Sequence, residues 1–138
     1  MRITGILSAL LVLYGCATSP TPIAQARVTP QERIYQIGSE AKSAATVIFV
    51  RDTGFTGSGV YLHISINGEK AISLDVGEKG SIRLAPGEYV FGVLPTDAFG
   101  THAETAIDQR LEPDRTYYYR LATDGDTLKT AIQRSIPK

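Results

Sequence analysis

Few side chains in this 138-residue chain have the types and spacing that chemistry needs. His63 and His102 are the two histidines, and a metal site normally takes three or four ligands, so Asp75, Asp97 or Glu104 would have to converge on them. His63 falls on the polar side of a predicted strand and His102 in a predicted loop, which favours two solvated histidines. Sequence order leaves a Ser-His-Asp triad open, because triads are defined in space, but nothing local supports one. We therefore expect no catalytic residue, no metal and no cofactor.

A glycine-rich stretch, residues 51–59, includes Arg51, Phe55 and Ser58. Glycine-rich loops cradle phosphate when a Lys-Ser/Thr pair and a helix follow, and here a predicted strand follows instead. Ser58 lies between two glycines but lacks the further residues and the helix of a nucleophile elbow. The stretch is typical of a loop between strands, with Phe55 as a packing or contact residue.

Cys16 is the only cysteine, and it follows a short apolar run, Ile6–Leu13, that Arg2 precedes. The run is too short to span a bilayer, which takes about 20 apolar residues, and it has the layout of a secretory signal peptide. The stretch Leu13-Tyr14-Gly15-Cys16 resembles a bacterial lipobox, with an aliphatic residue three positions before the cysteine and a small residue directly before it. The resemblance implies that residues 1–15 are a signal peptide and that the mature chain begins at a lipidated Cys16.

A diacylated or triacylated Cys16 would hold the protein stably on a membrane, since two or more acyl chains are needed for firm anchoring. Ala17 in the next position, in place of Asp, favours the outer membrane, with the domain facing the periplasm. Removing residues 1–15 takes one basic residue, Arg2, from a balance of 14 basic and 14 acidic residues, so the net charge becomes −1. A nearly neutral domain has no electrostatic footprint for nucleic acid, and we expect no nucleic-acid partner.

Residues 16–44 are predicted to be a tether. Their first part is rich in Pro, Ser and Thr, a composition typical of a flexible spacer. Thr29 as N-cap and Pro30 as first helical residue predict a short helix over Gln31–Ile37. A disordered linker as far as Ala44 is the alternative, because two turns of helix persist only when docked on a domain.

From residue 45 to residue 138 the apolar period is two, which predicts one all-β domain. The clearest strand is Val60–Ile66, and Asn67-Gly68 directly after it favours a tight hairpin because both residues tolerate positive φ. Lys70–Val76 returns as the next strand, and Gly77–Gly80 is predicted to be a turn. The other predicted strands are Val47–Arg51, Ser81–Ala85, Glu88–Leu94, Ala103–Leu111, Tyr117–Leu121 and Leu128–Ser135. Short strands at this spacing predict a single antiparallel β-sandwich of about seven to eight strands.

Several turn motifs resemble one known family. Ile66-Asn67-Gly68-Glu69, Leu84-Ala85-Pro86-Gly87-Glu88-Tyr89 and Leu111–Tyr118 are similar to segments of the bacterial lipoproteins catalogued as domain-of-unknown-function family 2846. The resemblance covers roughly residues 45–122, and the rhythm is also similar to PEGA-type β-sandwiches. It implies a prealbumin-like or Ig-like fold and a place in the cell envelope, and it implies no activity, because the family has none assigned.

The tyrosines of Tyr117-Tyr118-Tyr119 alternate across a strand, so Tyr118 should face away from the other two. We expect a non-enzymatic, lipid-anchored envelope protein that acts as an interaction or structural module, with a membrane and a protein or envelope component as partners. The alternative is a small-molecule or glycan binder using loops 51–59 and 95–102; a hydrolase would need a Ser or Asp in hydrogen-bond reach of His63 or His102. The candidate contact residues are Arg51, Phe55, Tyr61, Phe99 and Tyr118.

Overall fold

The computed structural model describes residues 19–54, 59–97, 100–101, 104–123 and 130–135. Strands dominate this part of the chain, which confirms the all-β class, and its one helix is a single 3₁₀ turn at Gln31–Arg33. Among these residues no helix has the length and apolar character to cross a membrane. The strands in chain order are β1 Arg27–Val28, β2 Ala45–Arg51, β3 Tyr61–Ile66, β4 Glu69–Leu74, β5 Glu78–Leu84, β6 Gly87–Asp97, β7 Gly100–Thr101, β8 Thr105–Leu111, β9 Thr116–Thr123 and β10 Thr130–Ser135.

These ten strands form two sheets, whereas the sequence predicts about seven to eight strands in antiparallel order. Sheet 1 has the order β1-β5-β2-β9-β10, and sheet 2 has the order β4-β3-β6-β7 with β8 paired to β6. Sheet 1 is mixed, because β1 is parallel to β5 and β2 is parallel to β9. The chain leaves sheet 1 after β2, returns to it for β5, and later enters β9 from the end at which β2 began. β2 and β9 therefore run in the same direction.

Three aromatic rings join the two sheets at the centre of the core. Phe49 of β2 contacts Phe91 of β6 edge-on, with 5.4 Å between ring centroids, and stacks on Tyr119 of β9 at 5.4 Å. All three side chains are fully buried. Burial raises the pKa of Tyr119 to about 12, and its hydroxyl donates to Gln109 Oε1 at 2.7 Å. The two sheets thus share a single apolar core, with a polar group satisfied at its margin.

The hairpin between β3 and β4 forms as predicted. Asn67 has φ 52° and Gly68 has φ 81°, the positive values that a tight two-residue turn requires. In β3, Leu62, Ile64 and Ile66 are buried and Tyr61 is exposed, which confirms the predicted alternation. Local backbone preference and side-chain period are sufficient to determine this part of the fold.

The segment before β2 differs from the predicted tether. Residues 19–36, which we call the N-terminal strap, lie along the edges of both sheets: β1 pairs with the edge of β5, and Ile34 forms a bridge with Ile72 of β4. The predicted helix over Gln31–Ile37 is wrong beyond its first turn. The Thr29 hydroxyl does not cap it, because that hydroxyl donates to Glu78 at 3.4 Å. Open sheet edges compete with helix formation here by offering backbone partners.

Candidate functional site

The strap begins at a two-stranded contact between Ser19 and Thr53. The Ser19 N–H donates to the Thr53 carbonyl at 2.7 Å, and the Thr53 N–H donates back to the Ser19 carbonyl at 3.2 Å. The Thr53 N–H also lies 2.9 Å from the Thr21 hydroxyl oxygen, and the Thr21 N–H donates to Asp52 Oδ1 at 3.1 Å. The first described residues of the chain are therefore held against the end of β2.

An ion pair with a buried carboxylate supports this contact from inside. The Asp52 side chain is 1% exposed, and the Arg120 guanidinium of β9 approaches it with Nε at 2.8 and 2.6 Å and Nη2 at 2.6 Å from the carboxylate oxygens. The hydrogen bonds to Asp52 raise the pKa of Arg120 above its ordinary value. Because bidentate Arg–carboxylate pairs have a defined geometry, this pair orients the residues to which the strap is bound.

A second ion pair lies where the strap crosses from the edge of one sheet to the edge of the other. Arg33 donates to both carboxylate oxygens of Glu78 at 2.7 Å, and its Nη1 also donates to the Ser73 carbonyl at 3.2 Å. Glu78 belongs to sheet 1 and Ser73 to sheet 2, so one guanidinium links the edges of both sheets. The Asp75 N–H donates to Glu78 Oε2 at 2.8 Å and completes the shell around the carboxylate.

The pKa of Glu78 reflects two opposing influences. Burial disfavours the charged carboxylate, while the hydrogen bonds from Arg33 and the Asp75 N–H favour it, and the result is a pKa below the ordinary value of 4.5. The hydrogen bond to Glu78 likewise raises the pKa of Arg33. Both shifts indicate that the pair is charged at neutral pH.

The predicted turn at Gly77–Gly80 is wrong in its position, because the turn lies at Val76 and Gly77. β5 starts at Glu78, whose exposure is 3%. The sequence contains a signal for this burial. Every second side chain of β5 faces the core, and counting back by twos from Leu84 through Ile82 and Gly80 reaches Glu78. Gly80 is required at its position, since a Cβ atom there would lie 2.9 Å from the Ile72 side chain of the facing sheet.

The strap also builds an exposed patch of aromatic and cationic side chains. Arg33 lies over the Tyr61 ring at 5.1 Å, and Lys70 lies over the Tyr35 ring at 4.4 Å. Tyr35 is 47% exposed and Tyr61 is 44% exposed. We call Arg33, Tyr35, Tyr61 and Lys70 the contact patch. Of its members the sequence identified only Tyr61.

A chain of polar contacts lies beside the contact patch on the outer face of sheet 2. The Ser73 hydroxyl donates to the Tyr35 hydroxyl at 3.3 Å and lies 2.5 Å from His63 Nδ1. This is the Ser–His proximity that a hydrolase would need. Ser73, however, is 1% exposed, so its hydroxyl is not accessible to a substrate. A nucleophile must reach its substrate, and the burial of Ser73 prevents that in this structure.

The pKa of His63 is below its usual 6.5. Burial of the imidazole is the larger cause, and the positive charge of Lys70 adds to it. On the same face the Ser65 hydroxyl donates to Glu104 Oε1 at 2.6 Å, and the carboxylate lies over Gly92. Within the residues that the structure covers, no three His, Cys, Asp or Glu side chains are grouped so as to hold a metal ion.

Of the five candidate contact residues, the structure describes Arg51, Tyr61 and Tyr118. Arg51 is 2% exposed and donates to the carbonyls of Val60 and Leu74, the latter at 3.0 Å, so burial prevents the predicted surface role. Tyr118 is half-buried and faces away from the buried Tyr117 and Tyr119, as its strand register predicts. Phe55, Phe99 and Cys16 lie outside the described residues.

The flanks of the two predicted binding loops do lie at one end of the molecule. Tyr61, just after the first loop, pairs with Thr96, which belongs to the second. Two depressions in the described surface lie elsewhere: one is lined by strap residues and the end of β5, and the other by β6, β8 and Asn67.

Comparison with known proteins returned no relative: no protein-family model matches the chain, and no curated protein has a significantly similar sequence.

Proposed function

We propose that this chain is a lipid-anchored protein of the bacterial cell envelope that acts by contact and not by catalysis. Lipidation at Cys16 would hold it on the outer membrane with the domain facing the periplasm, in line with the lipobox resemblance. The domain would be a prealbumin-like or Ig-like β-sandwich, the fold that the resemblance to family 2846 lipoproteins and PEGA-type domains implies. Two sheets sharing one aromatic core support this architecture.

The observation that carries the contact role is the contact patch. Exposed tyrosines next to Arg and Lys are the composition found at the energetic centres of protein interfaces. Within the patch, Arg33 is already paired with Glu78, so Lys70 and the exposed parts of Tyr35 and Tyr61 are its accessible chemistry. A protein segment that presents carboxylates and aromatic rings would complement it.

Lipidation is tested by the fate of Cys16. We expect the wild-type chain to incorporate labelled palmitate and to sediment with membranes, and we expect Cys16→Ala to do neither, because the acyl chains are the anchor. Mass spectrometry of the mature N-terminus gives an independent measurement. A free, unmodified thiol at Cys16 in the wild-type protein would refute the anchor.

The contact patch is tested by photo-crosslinking in intact cells. A photoreactive residue in place of Tyr61 should give a discrete adduct, because an interface centred on this patch places a partner within bonding distance. Gln133, exposed on β10 of the other sheet, is the matched control position and should give none. Adducts of equal yield at both positions, or none at Tyr61, would count against the contact role.

A second candidate is a small-molecule or glycan binder that uses loops 51–59 and 95–102. The pairing of Tyr61 with Thr96, which brings the flanks of these loops together, favours it. Calorimetric titration of the purified domain with soluble envelope glycans tests it: saturable binding that Tyr61→Ala abolishes would support the candidate, and the absence of binding heat would exclude those glycans as ligands.

A further inference from the structure

The two ends of the molecule differ in their distance from the start of the chain. β2 runs toward Thr53, and the bridge to Ser19 lies at that end together with the turn Asp75–Gly77 that leads into β5. We call this the near end. The opposite or far end carries the turns after β3, β5 and β8, namely Asn67-Gly68, Ala85-Pro86 and Glu112–Arg115.

The covalent distance from Cys16 to the near end is short. Ser19 is three positions after Cys16, and a fully extended chain advances at most about 3.6 Å per residue, so Ser19 lies within about 11 Å of the cysteine. β5 has seven residues. At about 3.3 Å per residue, it carries the chain about 23 Å from the near end to the far end. The length of the domain therefore exceeds the reach of the linker.

The N-terminal strap does not lengthen the linker, because several hydrogen bonds hold it on the domain. Ser19 and Thr53 exchange backbone hydrogen bonds, the Thr53 hydroxyl donates to the Ser19 carbonyl at 3.2 Å, and Lys79 Nζ donates to the Ile23 carbonyl at 2.8 Å. Farther along, the Arg27 N–H donates to the Gly77 carbonyl at 3.0 Å. Freeing the strap would break these contacts together.

We propose that the near end of the domain rests at the bilayer surface and the far end points away from it. This orientation rests on the proposed lipidation of Cys16. The partner of the near end is the headgroup layer of the membrane that holds the acyl chains. The near end has a group that suits this environment: the exposed Arg27, opposite the start of β5, offers a cation to anionic headgroups.

The two turns that flank β5 provide matched probe positions. Val76 lies in the near-end turn, and Ala85 is exposed in the far-end turn, where its carbonyl, and not its side chain, accepts the Tyr89 hydroxyl at 2.8 Å. Once Cys16 is acylated, Val76→Cys and Ala85→Cys each carry a single free thiol for a fluorescent dye. The untagged, lipidated proteins are placed in phosphatidylethanolamine–phosphatidylglycerol vesicles with nickel-chelating headgroups. Nickel quenches the dye over a distance shorter than the length of the domain.

We expect several-fold stronger quenching for the dye at residue 76 than for the dye at residue 85. Insertion of about twelve Gly/Ser residues after Ala17 should remove the difference, because such a linker has a root-mean-square span of about 20 Å and lets the domain tumble. Equal or reversed quenching without the insertion, in protein that mass spectrometry shows to be acylated, would overturn the orientation and leave the lipid anchor intact. Absence of acylation would overturn both.

Discussion

Leu62→Asp should leave the domain unfolded at room temperature. Leu62 is fully buried in β3, and its side chain faces the core that the two sheets share. The substitution removes about 2 kcal/mol of apolar burial and places a carboxylate without a partner in that core, at a further cost of several kcal/mol. A domain of this size is typically stable by about 5–15 kcal/mol, so the combined loss removes most or all of the stability.

Tyr61→Asp is the matched control for this prediction. It introduces the same side chain one residue away, at a position that is 44% exposed and points to the opposite face of the sheet. We expect it to change the free energy of unfolding by less than about 1 kcal/mol, as is usual for surface substitutions. Urea unfolding followed by far-ultraviolet circular dichroism measures both variants. A cooperative transition of Leu62→Asp at the wild-type midpoint would show that the register of β3 is wrong.

Glu78→Gln should lower the free energy of unfolding by about 3 kcal/mol, because it leaves Arg33 charged and without its carboxylate between the two sheet edges. This value lies at the low end for a broken buried pair, since 19% of the Arg33 side chain remains in contact with solvent. The strap should also loosen, and amide hydrogen exchange at residues 33–35 should accelerate relative to the core strands.

Glu88→Gln is the control for Glu78→Gln. Glu88 pairs with Arg110 at 3.6 Å, but the two side chains are 81% and 77% exposed. Solvent screening makes such pairs contribute less than about 1 kcal/mol, so this variant should unfold close to the wild type. Equal destabilisation by the two substitutions would contradict the structural role of the buried pair.

The same pair predicts how stability depends on pH. The folded-state pKa of Glu78 is below its ordinary 4.5, so its contribution is complete above about pH 4.5 and is lost as the pH falls through the lowered folded-state value. Denaturant midpoints measured from pH 7 down to pH 3 should therefore fall less steeply in Glu78→Gln than in the wild type. Parallel curves for the two proteins would refute the linkage.

Local patterns account for the features that could be predicted. The alternation in β3, the positive φ values at Asn67 and Gly68, and the outward direction of Tyr118 each depend on neighbouring residues in the chain. The backbone conformation of a tight turn and the period of a strand are properties of a few consecutive residues, so a single sequence contains them.

The features that could not be predicted depend on contacts between distant residues. The amino-acid composition of the strap is typical of a flexible spacer, yet the strap is ordered because the edges of β5 and β4 offer backbone hydrogen-bond partners. Glu78 follows a glycine, which is typical of a turn, yet it is buried because Arg33, 45 residues earlier in the chain, binds its carboxylate. Arg51 stands at the start of a glycine-rich stretch and is predicted to be a contact residue, yet it is buried and donates to the carbonyls of Val60 and Leu74.

By itself the sequence determined the all-β class, the central hairpin and most of the core positions, because strand period and turn chemistry are local properties. The tertiary structure alone decided that sheet 1 is mixed, that residues 19–36 close the edges of both sheets, and that Arg33, Tyr35, Tyr61 and Lys70 meet on one surface. These arrangements join segments that are far apart in the chain, and their energies come from hydrogen bonds and charges that become partners only after the sheets have formed.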